Sequence, residues 1–108
     1  MRVELAYFVD CPHWRDAEAA LLSLQAEFGF DLAYRTIGSA EDAAAYRFFG
    51  SPSITVDGAD LFASPGQPVG FTCRRYETPA GPAGSPTIDQ LRRALVAVSE
   101  SATGEGRT

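Results

Sequence analysis

The hydrophobic period of this chain turns helical at Asp10-Cys11-Pro12, and that change restricts the fold more than any other feature. Before it, Val3 to Val9 is β-branched and aromatic with few charges, as in a buried strand. After it, Ala17, Ala20, Leu21, Leu24 and Phe28 recur at helical spacing, while Arg15, Asp16, Glu18 and Gln25 mostly take the other side. Pro12 suits the first helical position, where its missing N–H costs nothing. Gly29 suits the end. Phe30 to Ile37 then alternates as a second strand. Strand, helix and strand in this order require a parallel pair with a right-handed crossover.

Gly38-Ser39 breaks the alternation, and Ser39-x-x-Asp42 resembles a capping box for a short helix reaching Phe49 and closed by Gly50. Ile54-Thr55-Val56 then runs into Asp57-Gly58, a dipeptide that favours a two-residue hairpin turn. Closing that turn sets Val56 opposite Ala59 and Ile54 opposite Leu61, apolar on a shared face. The fourth strand is therefore placed at 59–62, with 71–76 as the competing position. Residues 63–86 form a Pro/Gly-rich excursion before the last helix. That helix starts at Thr87, with Gln90 three residues on, and turns Ile88, Leu91, Leu95 and Val98 inward. From Ser99 to Thr108 only Ala102 is apolar, so 99–108 is expected to be a disordered tail.

These elements make an α/β chain with a mixed four-stranded sheet, in the order βαβ, helix, hairpin, helix. The 108 residues suffice for one core over residues 1–98 and leave no room for a second. The net charge is −5, every one of the nine basic residues is Arg, and none forms a basic run. Such a surface argues against a nucleic-acid or anionic-membrane partner. No apolar run approaches the roughly 20 residues that span a bilayer. Glu4 stands where a secretory signal would begin its apolar stretch, so the expected compartment is the cytoplasm. Two cysteines are too few for a disulfide framework, and any chemistry they have is individual.

The chemistry-bearing residues gather at Cys11-Pro12-His13-Trp14 after the first strand and at Gly50-Ser51-Pro52-Ser53-Ile54 opening the third. On these two motifs, and on element order over residues 3–98, the chain resembles the thioredoxin-like superfamily. The resemblance implies a three-layer sandwich in which Pro52 is a cis-proline packed against an active Cys11, with the Ser51 backbone orienting substrate. The chain departs from the redox members at the second cysteine of Cys-x-x-Cys, which here is Trp14.

Independently of any family, Cys11 reads as the N-cap of the first helix, where free N–H groups at His13 and Trp14 and the helix dipole favour a negative sulfur. A protonated His13 or Arg15 would add to that field. The alternative is a small buried apolar residue at a strand end. With the fourth strand at 59–62, the excursion hangs over Cys11, and Cys73 reaches it as a resolving or co-ligating thiol. With the strand at 71–76, Cys73 would lie roughly 10 Å away, too far for a disulfide. Pro12, His13, Trp14, Ser51, Arg74 and Tyr76 are the candidate substrate contacts, Arg74-Arg75 as a receiver for a carboxylate such as that of glutathione. His13 also reads as an exposed helix-start residue, Trp14 as a seal on the sheet end, and Arg74 as part of a solvated strand.

Three functions fit. In the first, a thiol-dependent oxidoreductase needing no cofactor attacks a disulfide through Cys11, and Cys73 or glutathione resolves the intermediate. In the second, Cys11 and Cys73 bind a soft metal such as mercury or copper. The chain also resembles the organomercurial lyase core, although the aspartate expected three residues after the first cysteine is Trp14. In the third, the fold serves as an interaction module and Cys11 is inert.

Overall fold

A computed structural model describes residues 1–64 and 66–106, with the side chains of 101–106 not described. Strand β1 (Arg2–Tyr7) leads into helix α1 (Trp14–Phe28), strand β2 (Asp31–Thr36) and helix α2 (Ala40–Tyr46). Strands β3 (Ser53–Val56) and β4 (Ala59–Asp60) follow, then a separate hairpin of β5 (Tyr76–Thr78) and β6 (Gly81–Ala83), and helix α3 (Ile88–Gly106). The main sheet runs β2-β1-β3-β4. Strands β1 and β2 are parallel, while β3 is antiparallel to both β1 and β4. The protein is thus a mixed α/β fold with a four-stranded mixed sheet.

The period of two along the strands sorts side chains between the sheet's faces. Val3 and Leu5 of β1 and Ile54 and Val56 of β3 share a core with Ala17, Leu21 and Leu24 of α1 and Leu91 and Leu95 of α3. On the other face, Ala6, Ile37 and Phe48 pack with Ala43 of α2. The expected turn at Asp57-Gly58 forms, both residues with positive φ (50° and 89°), as a two-residue hairpin of this kind requires. Val56 opposes Ala59, and the Leu61 N–H reaches the Ile54 carbonyl at 2.9 Å. The ladder itself is shorter than the expected 59–62.

Local capping signals account for several boundaries. Ser39 Oγ accepts from the Asp42 N–H at 3.1 Å. At α3 the Thr87 and Gln90 side chains each accept from the other's backbone N–H, at 3.1 and 2.9 Å. Gly29 ends α1 in the left-handed conformation, its N–H on the Gln25 carbonyl. Three expectations shift. Helix α2 stops at Tyr46, with Arg47 in the left-handed region, so Gly50 does not cap it. Ile88, in the first turn of α3, stays 38% exposed. Helix α3 also continues past Ser99 to Gly106 where a tail was expected, because extending a helix needs only one more backbone bond per residue. Residues 107–108 lie outside those described.

Candidate functional site

Cys11 follows β1 by way of a turn in which its N–H bonds the Phe8 carbonyl at 3.2 Å. It is not the N-cap of α1. Pro12 and His13 form a preliminary turn, and the N-cap is His13, whose backbone is already helical and whose side chain makes no capping bond. The helix therefore begins two residues later than the Pro12 signal implied. Cys11 turns inward instead, 0% exposed, with its Sγ on the Ser51 carbonyl at 3.5 Å. Its other partner is Cys73, whose Sγ lies 2.7 Å away and donates to it. Among the described residues, no hydrogen bond joins this sulfur to the amides of His13 or Trp14.

Cys73 arrives as the placement of the fourth strand after Asp57-Gly58 implied, from an excursion that returns to Cys11. Residues 72–74 lie beside Ser51, just ahead of β3, forming a single parallel bridge between Ser51 and Cys73. The Ser51 N–H donates to the Thr72 carbonyl at 2.8 Å, and the Arg74 N–H donates to the Ser51 carbonyl at 2.9 Å. The bridge sits at the end of the sheet where β1 finishes, for the Phe8 N–H donates to Ser51 Oγ at 3.2 Å. Phe71 correspondingly meets Phe8, ring centroids 4.6 Å apart. The roughly 10 Å separation expected with a strand at 71–76 does not arise, because Cys73 is bridged beside Ser51, whose carbonyl lies against Cys11 Sγ.

Gly50 makes the approach possible. It has φ +113°, and a Cβ there would stand 2.9 Å from Arg74 Cβ. A side chain at this position would push residues 72–74 off Ser51. The Ser51–Pro52 peptide bond is cis, and Pro52 is buried.

Arg74 and Tyr76 are structural, not substrate contacts. Their side chains turn inward where a solvated strand was expected. The Arg74 guanidinium is 3% exposed and pairs with Asp60, itself 7% exposed, at 2.8 Å. It also donates to Ser53 Oγ and the Phe62 carbonyl and lies 4.7 Å from the Tyr76 ring centroid. Four of the five guanidinium N–H groups are engaged in this way, and the group is buried, so an incoming carboxylate finds no bidentate face. The Tyr76 hydroxyl donates to the Pro52 carbonyl at 2.6 Å, and burial pushes its pKa far up. The Ser51 backbone is likewise committed to Thr72 and Arg74, so it has no free N–H for substrate.

Of the remaining candidates, Pro12 is exposed. His13 stands 4.0 Å from Asp16 and against Gly84, leaving half its side chain exposed. Trp14 stacks on Tyr7 at 4.2 Å, sealing the core beside α1. The Cys73 thiol is exposed, and its pKa rises from 9.0 to about 11, first because its S–H is bonded to Cys11 and then through partial burial. A separate cleft of about 440 Å³ opens on the α2 face, lined by Glu4, Arg35, Tyr46 and Thr55 among others, and neither cysteine borders it. No group of three or more potential metal ligands occurs among the described residues.

Sequence reasoning did not find Asp60, Gly50 or the Phe8–Phe71 contact. Nothing at Asp60 marks it as the partner of a residue 14 positions on. Gly50 was visible, but as a helix end. No protein-family model, curated protein or solved structure matches the chain.

Proposed function

We propose that this protein is a thioredoxin-like dithiol–disulfide exchange protein whose redox pair is Cys11 and Cys73. The observation that carries the reading is the 2.7 Å separation of the two sulfurs, close to the roughly 2.05 Å of a disulfide bond. Oxidation removes one hydrogen from each thiol and joins Cys11 Sγ to Cys73 Sγ. Two external thiols return those hydrogens and leave as their own disulfide. Further support comes from the sheet order β2-β1-β3-β4, the helices on both faces and the Ser51 carbonyl 3.5 Å from Cys11 Sγ. The second thiol of the Cys-x-x-Cys members, absent at Trp14, is supplied here from 62 residues away.

The same spacing argues against the soft-metal reading. Two thiolates bound tetrahedrally to one zinc-sized ion at about 2.3 Å stand roughly 3.8 Å apart, and linear two-coordination separates them further. Holding one ion would require the two sulfurs to move apart from 2.7 Å, whereas a disulfide brings them closer.

Mild oxidation of the protein is the test. We expect the loss of two hydrogens per chain, a Cys11–Cys73 linked peptide by mass spectrometry, and reversal by glutathione. Cys11→Ser should abolish the linkage. Two thiols that both remain alkylatable after oxidation would end the reading.

A further inference from the structure

Burial divides the two cysteines more sharply than distance does. Cys11 is 0% exposed, whereas Cys73 is exposed. Exchange begins when a thiolate attacks one sulfur of the disulfide in line with the S–S bond, and access decides which sulfur is attacked. Cys73 is open to solvent, as are Thr72 and Arg75 beside it, while Arg74 and Tyr76 are buried. Cys11 offers no such opening: it is wholly buried, with the Ser51 carbonyl 3.5 Å from its Sγ. A carbonyl oxygen there would also repel an arriving thiolate.

We infer that external thiols exchange at Cys73, not Cys11, and that Cys11 is the buried leaving group and resolving thiol. This rests on the dithiol reading above and reverses the roles expected while Cys11 was read as the N-cap of the first helix, a place that His13 takes. In the first step an external thiolate bonds to Cys73 Sγ, the Cys73–Cys11 bond breaks, and Cys11 departs with the electron pair and takes up a proton. In the second step another external thiolate bonds to the sulfur already held on Cys73. The mixed disulfide breaks, Cys73 leaves as thiolate and is protonated, and the external disulfide departs. Two thiols are oxidised and the protein disulfide is reduced. In the opposite direction, Cys73 attacks an external disulfide and Cys11 then closes the internal bond. That direction is slow at neutral pH, since the Cys73 thiol titrates at about 11.

The oxidised full-length protein is mixed with reduced glutathione, quenched in acid within the first turnover, and digested for mass spectrometry. The glutathione adduct is expected on Cys73. In parallel, Cys11→Ser and Cys73→Ser are incubated with oxidised glutathione in the folded state. Cys11→Ser should accumulate a stable adduct, and Cys73→Ser should react at least about tenfold more slowly until it is unfolded. An adduct on Cys11, or adducts shared equally, would overturn the assignment and leave the redox pair standing. Failure to form any Cys11–Cys73 bond on oxidation would overturn both.

Discussion

Cys11 and Cys73 face each other, yet the chain holds them by different means. Cys11 follows a strand whose Val3 and Leu5 are locked into the main apolar core, and its place depends on the packing of β1. Cys73 sits just ahead of two polar anchors. Arg74 is tied to Asp60, Ser53 and the Phe62 carbonyl, and Tyr76 is tied to the Pro52 carbonyl. One thiol is positioned by burial of apolar surface, which is non-directional, and the other by a few bonds with specific geometry. The difference teaches that the two sulfurs can be uncoupled selectively: damage to the polar anchors displaces Cys73 and leaves Cys11 where it is.

The strongest way to break the comparison is Asp60→Ala. It strands the Arg74 guanidinium in the interior, and removing one partner of a buried pair costs about 3–5 kcal/mol. Thermal and urea unfolding should register the loss, and the yield of Cys11–Cys73 disulfide in the surviving folded protein should fall. An unchanged disulfide yield would mean that Arg74 does not place Cys73. Tyr76→Phe is gentler. It removes one hydroxyl and leaves the Pro52 carbonyl unpaired, at about 1–3 kcal/mol. Here the unfolding midpoint should drop with only a modest change in disulfide yield, since Arg74 still holds the segment.

The smallest effect sharpens the comparison through pH. The folded-state pKa of Cys73 is raised, so its contribution to stability is complete below 9.0 and is lost as pH climbs through about 11. Tyr76, also raised by burial, loses stability in the same direction above the ordinary tyrosine value of about 10. Cys11→Ala removes the acceptor of the Cys73 S–H and should flatten only the thiol's share. Urea midpoints at pH 8, 10 and 11 for wild type and variant separate the two. Identical slopes would show that the S–H contact adds nothing in solution.

The amino-acid order by itself determined the elements whose causes lie within a few residues. The switch of period around Pro12, the Asp57-Gly58 turn, the Ser39 cap and the Thr87–Gln90 box are decisions between near neighbours along the chain. Backbone sterics and one amphipathic face suffice for them. The hairpin at Tyr76–Ala83 escaped because its Pro- and Gly-rich sequence carries little strand signal.

Tertiary structure decided how the site is held, although placing the fourth strand after Asp57-Gly58 had already brought Cys73 within reach of Cys11. Which way Arg74 points depends on Asp60, and where Tyr76 anchors depends on Pro52, 24 residues earlier. The meeting of Cys73 with Cys11 spans 62 residues. Contacts at such separations leave no periodic trace in the chain, because they exist only once the sheet end has brought Ser51, Phe8 and residues 72–74 together.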